Sequence, residues 1–358
     1  MIGYVGVSRR LTPEVSVLLP CYNAERFLAA SLESLFAQTY SDFEIVAIDD
    51  GSEDGTPYLL EEAARQDRRV WVARQPHQGI AAALRAGTEL ARGSLIARMD
   101  ADDLSHRDRL MLQVRFLREN PDTDVVGSCI RMFPREKLRE GLLRYENWVN
   151  GVLGHEEILR DLFIESPLPH PSVVMRREAL DQVSGYRDVG WPEDYDLWMR
   201  MARQGCHFAK VPEVLLEWRD WPGRASRVDE RFRAENFHAL KEHYLLETHL
   251  AGRCSFGIWG AGPIGKRWAR ALNKRGRQVR YFIDLDPRKI GKKIHGAPVV
   301  SPADLERLRD TLVLVAVGAL SRHRTETTED RWTAARDEIR EQLEDAGFEE
   351  RRDFICIA

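Results

Sequence analysis

The first hundred residues alternate between short apolar runs and stretches with helical spacing. The apolar runs are residues 15–19, 43–48, 70–73 and 95–99. One face of the helix predicted between the first two runs carries Leu28, Leu32, Leu35 and Phe36. Continuously apolar runs are typical of parallel strands that are covered by helices on both faces of a sheet. The alternation therefore predicts a doubly wound parallel α/β domain.

Two segments allow more local predictions. Thr56 and Pro57 are a typical N-cap and first helical residue, so we expect a helix to begin there. Residues 170–177 have the pattern of a strand that leads into a helix over 178–183.

The predicted strands end in polar residues. Tyr22 and Asn23 follow the first strand, and Asp49 and Asp50 end the second. Because the carboxyl ends of parallel strands meet at one edge of an open sheet, where such sheets bind ligands, we expect one polar site there. The Asp50 carboxylate could accept a hydrogen bond from a nucleobase or a ribose, and Tyr22 could pack on the base.

Three carboxylates, Asp100, Asp102 and Asp103, follow the fourth strand. Neighbouring carboxylates repel each other at neutral pH, so a folded chain places them together only with compensation. Mg²⁺ or Mn²⁺, bound through one or two carboxylates and substrate phosphates, would supply it. The alternative is structural, with Asp103 or Ser105 capping a helix that starts near Arg107. The residues alone leave both interpretations open.

A bound diphosphate would also need positive charge. This half of the sequence has no glycine-rich phosphate loop with a lysine, so a cation at Asp102 would have to supply that charge. Arg85 and Arg98 are basic candidates, but each is better explained as a solvated or ion-paired arginine.

Three stretches resemble family-2 glycosyltransferases of the GT-A fold. They are residues 15–24 (VSVLLPCYNA), 38–52 (QTYSDFEIVAIDDGS) and 97–103 (ARMDADD). The motifs come in the order and spacing of that family, and the similarity covers about residues 14–225. The resemblance implies a GT-A type nucleotide-diphospho-sugar domain whose donor is a nucleotide-diphosphate sugar, with UDP-sugars favoured.

The resemblance also implies roles for individual residues. Asp102 would be the central ligand of Mn²⁺ or Mg²⁺, while Asp50 would contact the base. Asp100 would lie near the ribose and Asp103 near the donor sugar. The residues expected to bind the nucleotide sugar are Pro20, Tyr22, Asn23, Asp50, Asp100 and Asp103.

A second acidic pair, Glu193 and Asp194, follows Pro192 at the start of a predicted helix. Taken alone, these acids stabilise the positive end of the helix dipole. In the family such a pair borders the acceptor, and its Asp deprotonates the acceptor hydroxyl. The resemblance therefore implies Asp194 as the general base, in preference to Glu193 or Asp196. A single displacement would then invert the anomeric centre and join the sugar to a glycan or lipid-linked acceptor.

One residue departs from the family pattern. Trp221 stands where the family often has a His that helps to close over the metal or diphosphate. Tryptophan cannot ligate a metal. We expect Arg219, Arg224 or Arg227 to hold the diphosphate instead, because a guanidinium matches phosphate oxygens.

The end of the chain has the signature of a smaller domain. A predicted strand at 254–259 is followed by Gly260, Gly262 and Gly265, and Asp284 ends the next strand. This order matches the dinucleotide fingerprint, in which glycines let a pyrophosphate approach a helix N-terminus. It is similar to small Rossmann-like domains that bind NAD(P) or nucleotide sugars. The alternative is a tight turn kept for packing, in a domain that serves regulation, partner positioning or homo-oligomer formation.

We therefore predict three segments: a glycosyltransferase-like domain at 1–226, a connecting helix at 227–250 and a Rossmann-like domain at 251–358. The length of 358 residues suits two domains. The net charge of -4 argues against a nucleic-acid partner. The five cysteines include no CxxC pair, which suits a reducing compartment and predicts no zinc site.

Residues 1–14 lack the apolar core of a signal peptide, and the sequence has no run of 18 apolar residues. We expect a cytoplasmic protein, with peripheral contact to the inner face of the membrane left open.

Three other functions are weighed against transfer. A catalytically idle nucleotide-sugar sensor would use the same donor site and signal through the second domain. An NAD(P)-dependent oxidoreductase centred on the residues from Gly260 to Gly265 would leave the first 225 residues unexplained, and no Tyr-x-x-x-Lys pair follows that motif. A sugar-phosphate nucleotidyltransferase would need a basic glycine-rich loop where the chain has residues 20–25.

Overall fold

The computed structural model describes residues 3–5, 12–317 and 331–358. The chain divides into two compact units: Met1–Ile158 with Pro167–Asn236, and Leu159–Ser166 with Phe237–Ala358. The short segment Leu159–Ser166 thus belongs to the second unit although the first unit flanks it in sequence. A separate connecting segment at 227–250 stays a prediction; its main helix is Ala234–Glu247.

The first unit is built on one mixed sheet. Its described strands are β1 (Gly3–Val5), β2 (Val15–Cys21), β3 (Phe43–Asp49), β4 (Val70–Arg74), β5 (Leu95–Arg98), β6 (Leu104–Ser105), β7 (Val125–Phe133), β8 (Val174–Arg176) and β9 (Phe208–Arg219). Their spatial order is β1-β4-β3-β2-β5-β8-β7-β9-β6. Strands β4, β3, β2 and β5 are parallel to their neighbours in that run, which confirms the parallel arrangement predicted from the apolar runs.

Helices follow the parallel strands. They are α1 (Glu25–Phe36), α2 (Thr56–Gln66), α3 (Ile80–Leu90), α4 (Arg109–Glu119), α5 (Glu140–Gly151), α6 (His155–Asp161), α7 (Arg177–Gln182), α8 (Glu193–Arg203) and α9 (Ala225–Val228), with 3₁₀ turns at Arg135–Lys137, His170–Ser172 and Glu230–Phe232. All of β3 is buried. Leu28, Leu32 and Leu35 of α1 lie in the same core, as their spacing predicts.

The parallel register places the polar strand ends together. Cys21 pairs with Asp49, and Leu18 pairs with Arg98. The residues that follow β2, β3 and β5 therefore emerge at one edge of the sheet, as expected for an open α/β ligand site.

The prediction that Thr56 caps α2 is wrong. The helix begins at Thr56 itself, with Gly55 at the N-cap position. The Thr56 hydroxyl accepts a hydrogen bond from the Ala24 N–H at 2.8 Å instead. Asp54 satisfies the Thr56 N–H at 3.0 Å, so the helix start does not need the threonine side chain.

The continuous strand predicted over 170–177 is also wrong. A 3₁₀ turn at His170–Ser172 precedes the three-residue strand β8. Pro171 has no N–H to donate to a strand ladder, which accounts for the late start of the strand.

The second unit contains a smaller sheet. Its elements are α10 (Ala234–Glu247), β10 (Ser255–Trp259), α11 (Pro263–Lys274), β11 (Gln278–Ile283), β12 (Lys293–Ile294), β13 (Ala297–Val300), a 3₁₀ helix (Pro302–Arg307), β14 (Val313–Val315), α12 (Arg331–Asp345) and β15 (Phe354–Cys356). Strands β13, β11, β10, β14 and β15 are parallel in that spatial order. The order reverses at β10, and the presence of a second, smaller α/β domain agrees with the prediction.

Among the described residues, no helix combines the length and the apolar character needed to cross a membrane. The prediction that residues 1–14 form no signal peptide rests partly on residues 1–2 and 6–11, which lie outside the described residues.

Candidate active site

A cavity of about 550 Å³ lies at the polar edge of the first unit's sheet. This volume suits a small-molecule ligand. Of the residues predicted to bind a nucleotide sugar or metal, those lining the cavity are Pro20, Tyr22, Asn23, Asp50, Asp100 and Asp102. The segment after β9 contributes Trp221, Arg224 and Arg231 to the same wall. Asp103 is buried and is not part of the lining.

The carboxylate of Asp50 organises one loop of the cavity wall. Its Oδ1 accepts hydrogen bonds from Gln75 Nε2 at 2.6 Å and from the Gln78 N–H at 3.0 Å. Its Oδ2 accepts from the Gly79 N–H at 2.8 Å and lies 2.8 Å from His77 Nδ1. Gly79 has φ +86°, which glycine adopts without strain. Asp50 therefore shapes this end of the cavity as well as lining it.

Tyr22 and Asn23 have distinct structural roles. The Tyr22 ring stacks on His77 with centroids 3.9 Å apart, and 47% of Tyr22 is exposed, which leaves a flat aromatic surface at the cavity. The Asn23 side-chain oxygen accepts a hydrogen bond from the Glu53 N–H at 2.9 Å. The backbone N–H of Asn23 donates to Ser52 Oγ at 3.0 Å. Asn23 therefore fixes the loop that follows β3.

Asp100, Asp102 and Asp103 each place a carboxylate oxygen within 4.8 Å of the others. Asp103 is 1% exposed, and its Oδ2 accepts no hydrogen bond from the described residues. Burial and the charges of Asp102 and Asp100 raise the pKa of Asp103 well above its ordinary value. Burial and Asp100 likewise raise the pKa of Asp102. A buried, unpaired oxygen among mutually repelling carboxylates fits a divalent cation, which prefers such oxygen ligands.

The alternative in which Asp103 or Ser105 caps the next helix is wrong. Helix α4 begins at Arg109, with Asp108 at the N-cap position. Asp103 Oδ1 instead accepts a hydrogen bond from the Arg219 N–H at 2.8 Å, and Ser105 belongs to strand β6. The acidic cluster therefore does not serve as a helix cap.

The three arginines predicted to hold a diphosphate differ in their contacts. Arg227 forms two hydrogen bonds with the Asp220 carboxylate, at 2.9 and 2.6 Å. Arg219 lies over two phenylalanine rings and donates to the Asp102 carbonyl oxygen at 2.6 Å. Arg224 lines the cavity. Of the three, Arg224 is therefore best placed to meet a phosphate in the cavity.

Arg98 ends strand β5 and is ion-paired, as the sequence favours. Its guanidinium is 1% exposed, and Nη1 lies 2.5 Å from Asp100 Oδ1. Burial together with the charge of Arg98 lowers the pKa of His170, so this imidazole is neutral at neutral pH. His170 Nε2 lies 3.0 Å from the Tyr186 hydroxyl.

Glu193 and Asp194 begin helix α8, as predicted. Glu193 is 2% exposed and lies 3.7 Å from His170 Nδ1 and 3.9 Å from Arg231 Nη1. Asp194 accepts a hydrogen bond from the Tyr195 N–H at 2.7 Å. Burial and the charge of Glu193 raise the pKa of Asp194 to about 7, a value suited to a general base near neutral pH. Neither acid is part of the cavity lining, although Arg231 is.

Asp196, the third acid of this helix, has a structural role. It is 2% exposed, and its carboxylate accepts hydrogen bonds from Arg200 Nε at 2.7 Å and from Trp191 Nε1 at 3.0 Å. These contacts favour Asp194 over Asp196 as the base.

Sequence reasoning missed Gln75, His77 and Arg231. None of them belongs to a motif that we recognised, and each acquires its role through a partner far along the chain. Arg231 pairs with Asp229 and also approaches Glu193. The weak signal that could have found His77 is its position in the loop after β4, another parallel strand that ends at this edge.

The glycine-rich turn of the second unit is tightly packed. Gly260 has φ +107°, and a Cβ on Gly265 would lie 1.9 Å from the Gly260 carbonyl oxygen. A Cβ on Gly262 would meet nothing within 4 Å. Asp284 Oδ2 accepts hydrogen bonds from Lys289 Nζ at 2.8 Å and from the N–H that follows Gly260 at 2.9 Å. The contacts favour the packing role, and NAD(P) at this turn stays a prediction.

Known proteins resemble the first unit. The family described as Glycosyl transferase family 2 matches residues 16–184. EpsE of Bacillus subtilis (strain 168), described provisionally as a glycosyltransferase, is 32% identical over 213 residues, which are 58% of this chain and 73% of EpsE. The UDP-Gal:alpha-D-GlcNAc-diphosphoundecaprenol beta-1,3-galactosyltransferase of Escherichia coli is 25% identical over 211 residues, with 58% and 74% covered.

A solved structure shows the same fold. The crystal structure of S. aureus TarS 1-349 in complex with UDP-GlcNAc matches with a TM-score of 0.53 at 18% identity, over 65% of this chain and 66% of that chain. The match thus spans about two thirds of the TarS chain. The fold and these relatives define a glycosyltransferase domain of the GT-A type. The chain belongs to glycosyltransferase family 2.

Proposed function

We propose that the chain transfers a sugar from a nucleotide-diphosphate sugar to a hydroxyl of a glycan or lipid-linked acceptor. A UDP-sugar is the favoured donor. The reaction inverts the anomeric centre, uses Mn²⁺ or Mg²⁺, and has Asp194 as its general base. The observation that carries the proposal is the cavity in which Asp50, Asp100 and Asp102 meet at the carboxyl edge of the sheet.

The donor nucleotide would lie at the Asp50 end of the cavity. The exposed face of the Tyr22–His77 stack suits a base, and the Asp50 loop limits the space beside it. The TarS structure contains UDP-GlcNAc, which supports a uridine nucleotide for this fold.

The diphosphate would lie at the other end of the donor site. Asp102 and Asp100 would hold the divalent cation, because both carboxylates line the cavity and lie next to the buried Asp103. The bound cation would neutralise charge on the departing diphosphate. Arg224 supplies a further positive charge in the cavity wall, and its field lowers the otherwise raised pKa values of Asp102 and Asp103.

The chemical step would be one displacement. The acceptor oxygen forms a bond to the anomeric carbon while the bond from that carbon to the diphosphate oxygen breaks. The acceptor proton passes to Asp194, whose pKa of about 7 allows it to be ionised at neutral pH and to hold a proton afterwards. General-base assistance of this kind is worth roughly 10²–10⁴ in rate.

The acceptor is the least constrained part of the proposal. The Escherichia coli relative is named for a diphosphoundecaprenol-linked acceptor, which supports a lipid-linked or glycan hydroxyl. A cytoplasmic location, peripheral membrane contact and homo-oligomer formation through the second unit stay predictions.

The proposal is tested by turnover of a panel of UDP-, GDP- and dTDP-sugars with Mn²⁺, Mg²⁺ or EDTA. We expect metal-dependent release of one nucleoside diphosphate, loss of donor binding in Asp102→Asn, and retained binding without turnover in Asp194→Asn. Stabilisation by NAD(P) alone, independent of metal and of both substitutions, would contradict the proposal and favour an activity of the second unit.

A further inference from the structure

Trp221 makes a contact that the family resemblance does not imply. Its indole Nε1 donates a hydrogen bond to Asp102 Oδ2 at 2.6 Å, across 119 positions of sequence. An indole N–H is a donor only, so this residue cannot act as a metal ligand. It binds instead to one oxygen of the carboxylate that the proposed function assigns to the cation.

The two residues that precede Trp221 are both held by hydrogen bonds. The Asp220 N–H donates to the Phe133 carbonyl oxygen at 2.8 Å, and the Asp220 carboxylate holds Arg227 through two hydrogen bonds. One residue earlier, the Arg219 N–H donates to Asp103 Oδ1 at 2.8 Å. Arg219 and Trp221 therefore both bind the acidic cluster, and Asp220 holds the chain between them.

The indole ring is also held by packing. It meets Phe27 edge-on, with ring centroids 5.2 Å apart. Gly223 lies directly against the ring, because a Cβ at that position would be 2.2 Å from Trp221 Cζ3. A side chain at position 223 would therefore displace the indole while leaving Trp221 itself unchanged.

We propose that Trp221 is a positioning residue for the cation site: its N–H holds Asp102 Oδ2 and leaves Oδ1 to face the divalent cation. This inference rests on the proposed function, since it takes Asp102 as a metal ligand. A coordinating side chain would stabilise the bound cation by ligation. The indole would stabilise it by orienting Asp102, and it adds no charge. Removing a group that orients a metal ligand typically weakens metal affinity 10- to 100-fold.

The test is Mn²⁺ binding to the full chain. Binding is measured through the electron paramagnetic resonance signal of the free ion. Trp221→Phe removes the N–H and keeps an aromatic ring, and Gly223→Ala displaces the indole. We expect both variants to bind Mn²⁺ roughly tenfold or more weakly than the wild type. Trp71→Phe, on β4 and outside the cavity lining, is the matched control and should bind as the wild type does.

A second readout follows the indole itself. Adding Mg²⁺ should change the tryptophan fluorescence of the wild type and of Trp71→Phe, and this change should be absent in Trp221→Phe. Melting curves in EDTA identify any variant that does not fold. If one of Trp221→Phe and Gly223→Ala fails to fold, the other tests the positioning role.

The outcomes separate the two proposals. The decisive case is one in which the wild type binds Mn²⁺ and both variants fold. If Trp221→Phe and Gly223→Ala then bind Mn²⁺ at least as tightly as the wild type, the positioning role is overturned and the proposed function stays intact. A wild type that binds donor and turns it over without any Mn²⁺ or Mg²⁺ binding would overturn the metal site, and the positioning role with it.

Discussion

The guanidinium of Arg98 is buried, and its Nη1 lies 2.5 Å from Asp100 Oδ1. The same positive charge also acts on Asp194, where it opposes the rise in pKa caused by burial and Glu193. One buried cation therefore interacts with a carboxylate of the donor site and with the proposed base. Arg98 therefore links the donor site electrostatically with Asp194.

Arg98→Met should move the pH dependence of turnover to higher pH. Loss of the positive charge raises the pKa of Asp194 further above about 7, so a higher pH is needed to ionise the base. Arg98→Lys keeps the charge and should shift the profile less. The measurement is the pH profile of kcat at a temperature where melting curves show both variants folded. A midpoint that is unchanged in Arg98→Met would contradict the link.

Asp194→Asn should lose turnover while it keeps donor binding. We expect kcat to fall roughly 10²- to 10⁴-fold, because the acceptor proton then has no base. Asp196→Asn is the matched control on the same helix. It weakens the contacts with Arg200 and Trp191, so we expect a lower melting temperature instead of a selective loss of kcat. Wild-type kcat in Asp194→Asn would exclude it as the base.

The stability of the protein should depend on Asp194 in a defined pH range. The pKa of this group is about 7 in the folded protein, against an ordinary value of 3.8. As pH rises from about 4 to 7 the unfolded chain loses its proton first, so stability falls across this interval and is level above it.

Asp194→Asn removes this loss. Its melting temperature should equal that of the wild type near pH 4 and exceed it above pH 7. The full shift corresponds to about 4 kcal/mol, and partial exposure of Asp194 reduces the expected gain to on the order of 2 kcal/mol. Parallel melting curves between pH 4 and 8 measure this difference, and a constant offset between the two proteins would show that Asp194 does not titrate there.

The glycines of the second unit should differ in their tolerance of a methyl group. Gly265→Ala places a Cβ 1.9 Å from the Gly260 carbonyl oxygen, so the turn must move at a cost of about 2 kcal/mol or more. Gly262→Ala meets no atom within 4 Å and should leave stability nearly unchanged. Chemical denaturation measures both. Equal stability of the two variants would show that the turn relaxes without cost.

The sequence predicts the sheet because its signal is local. Continuous apolar runs mark β2, β3, β4 and β5, and their shared direction brings the polar residues after them to one edge. The acidic cluster lies within four residues, and Glu193 and Asp194 are adjacent, so a sequence motif reveals both. Strand β13 is harder to predict, because its four residues include Pro298.

The remainder of the site depends on contacts between distant residues. Trp221 reaches Asp102 across 119 positions, and Arg231 reaches Glu193 across 38. The sequence cannot show that the Asp50 carboxylate is already bonded to the loop of Gln75 and Gly79. The family motif favours Asp194 over Asp196, but only the folded protein shows the hydrogen bonds that occupy the Asp196 carboxylate.

Calorimetric titration of UDP-sugars into the full chain, with Mn²⁺ and with EDTA, tests the central claim most directly. The wild type should bind one donor with Mn²⁺ and lose most of its affinity in EDTA, because Asp102 and Asp100 hold the cation against the diphosphate. Asp102→Asn should bind weakly in both conditions. Donor binding that is equal with and without metal, and equal in Asp102→Asn, would contradict a cation site at the carboxyl edge of this sheet.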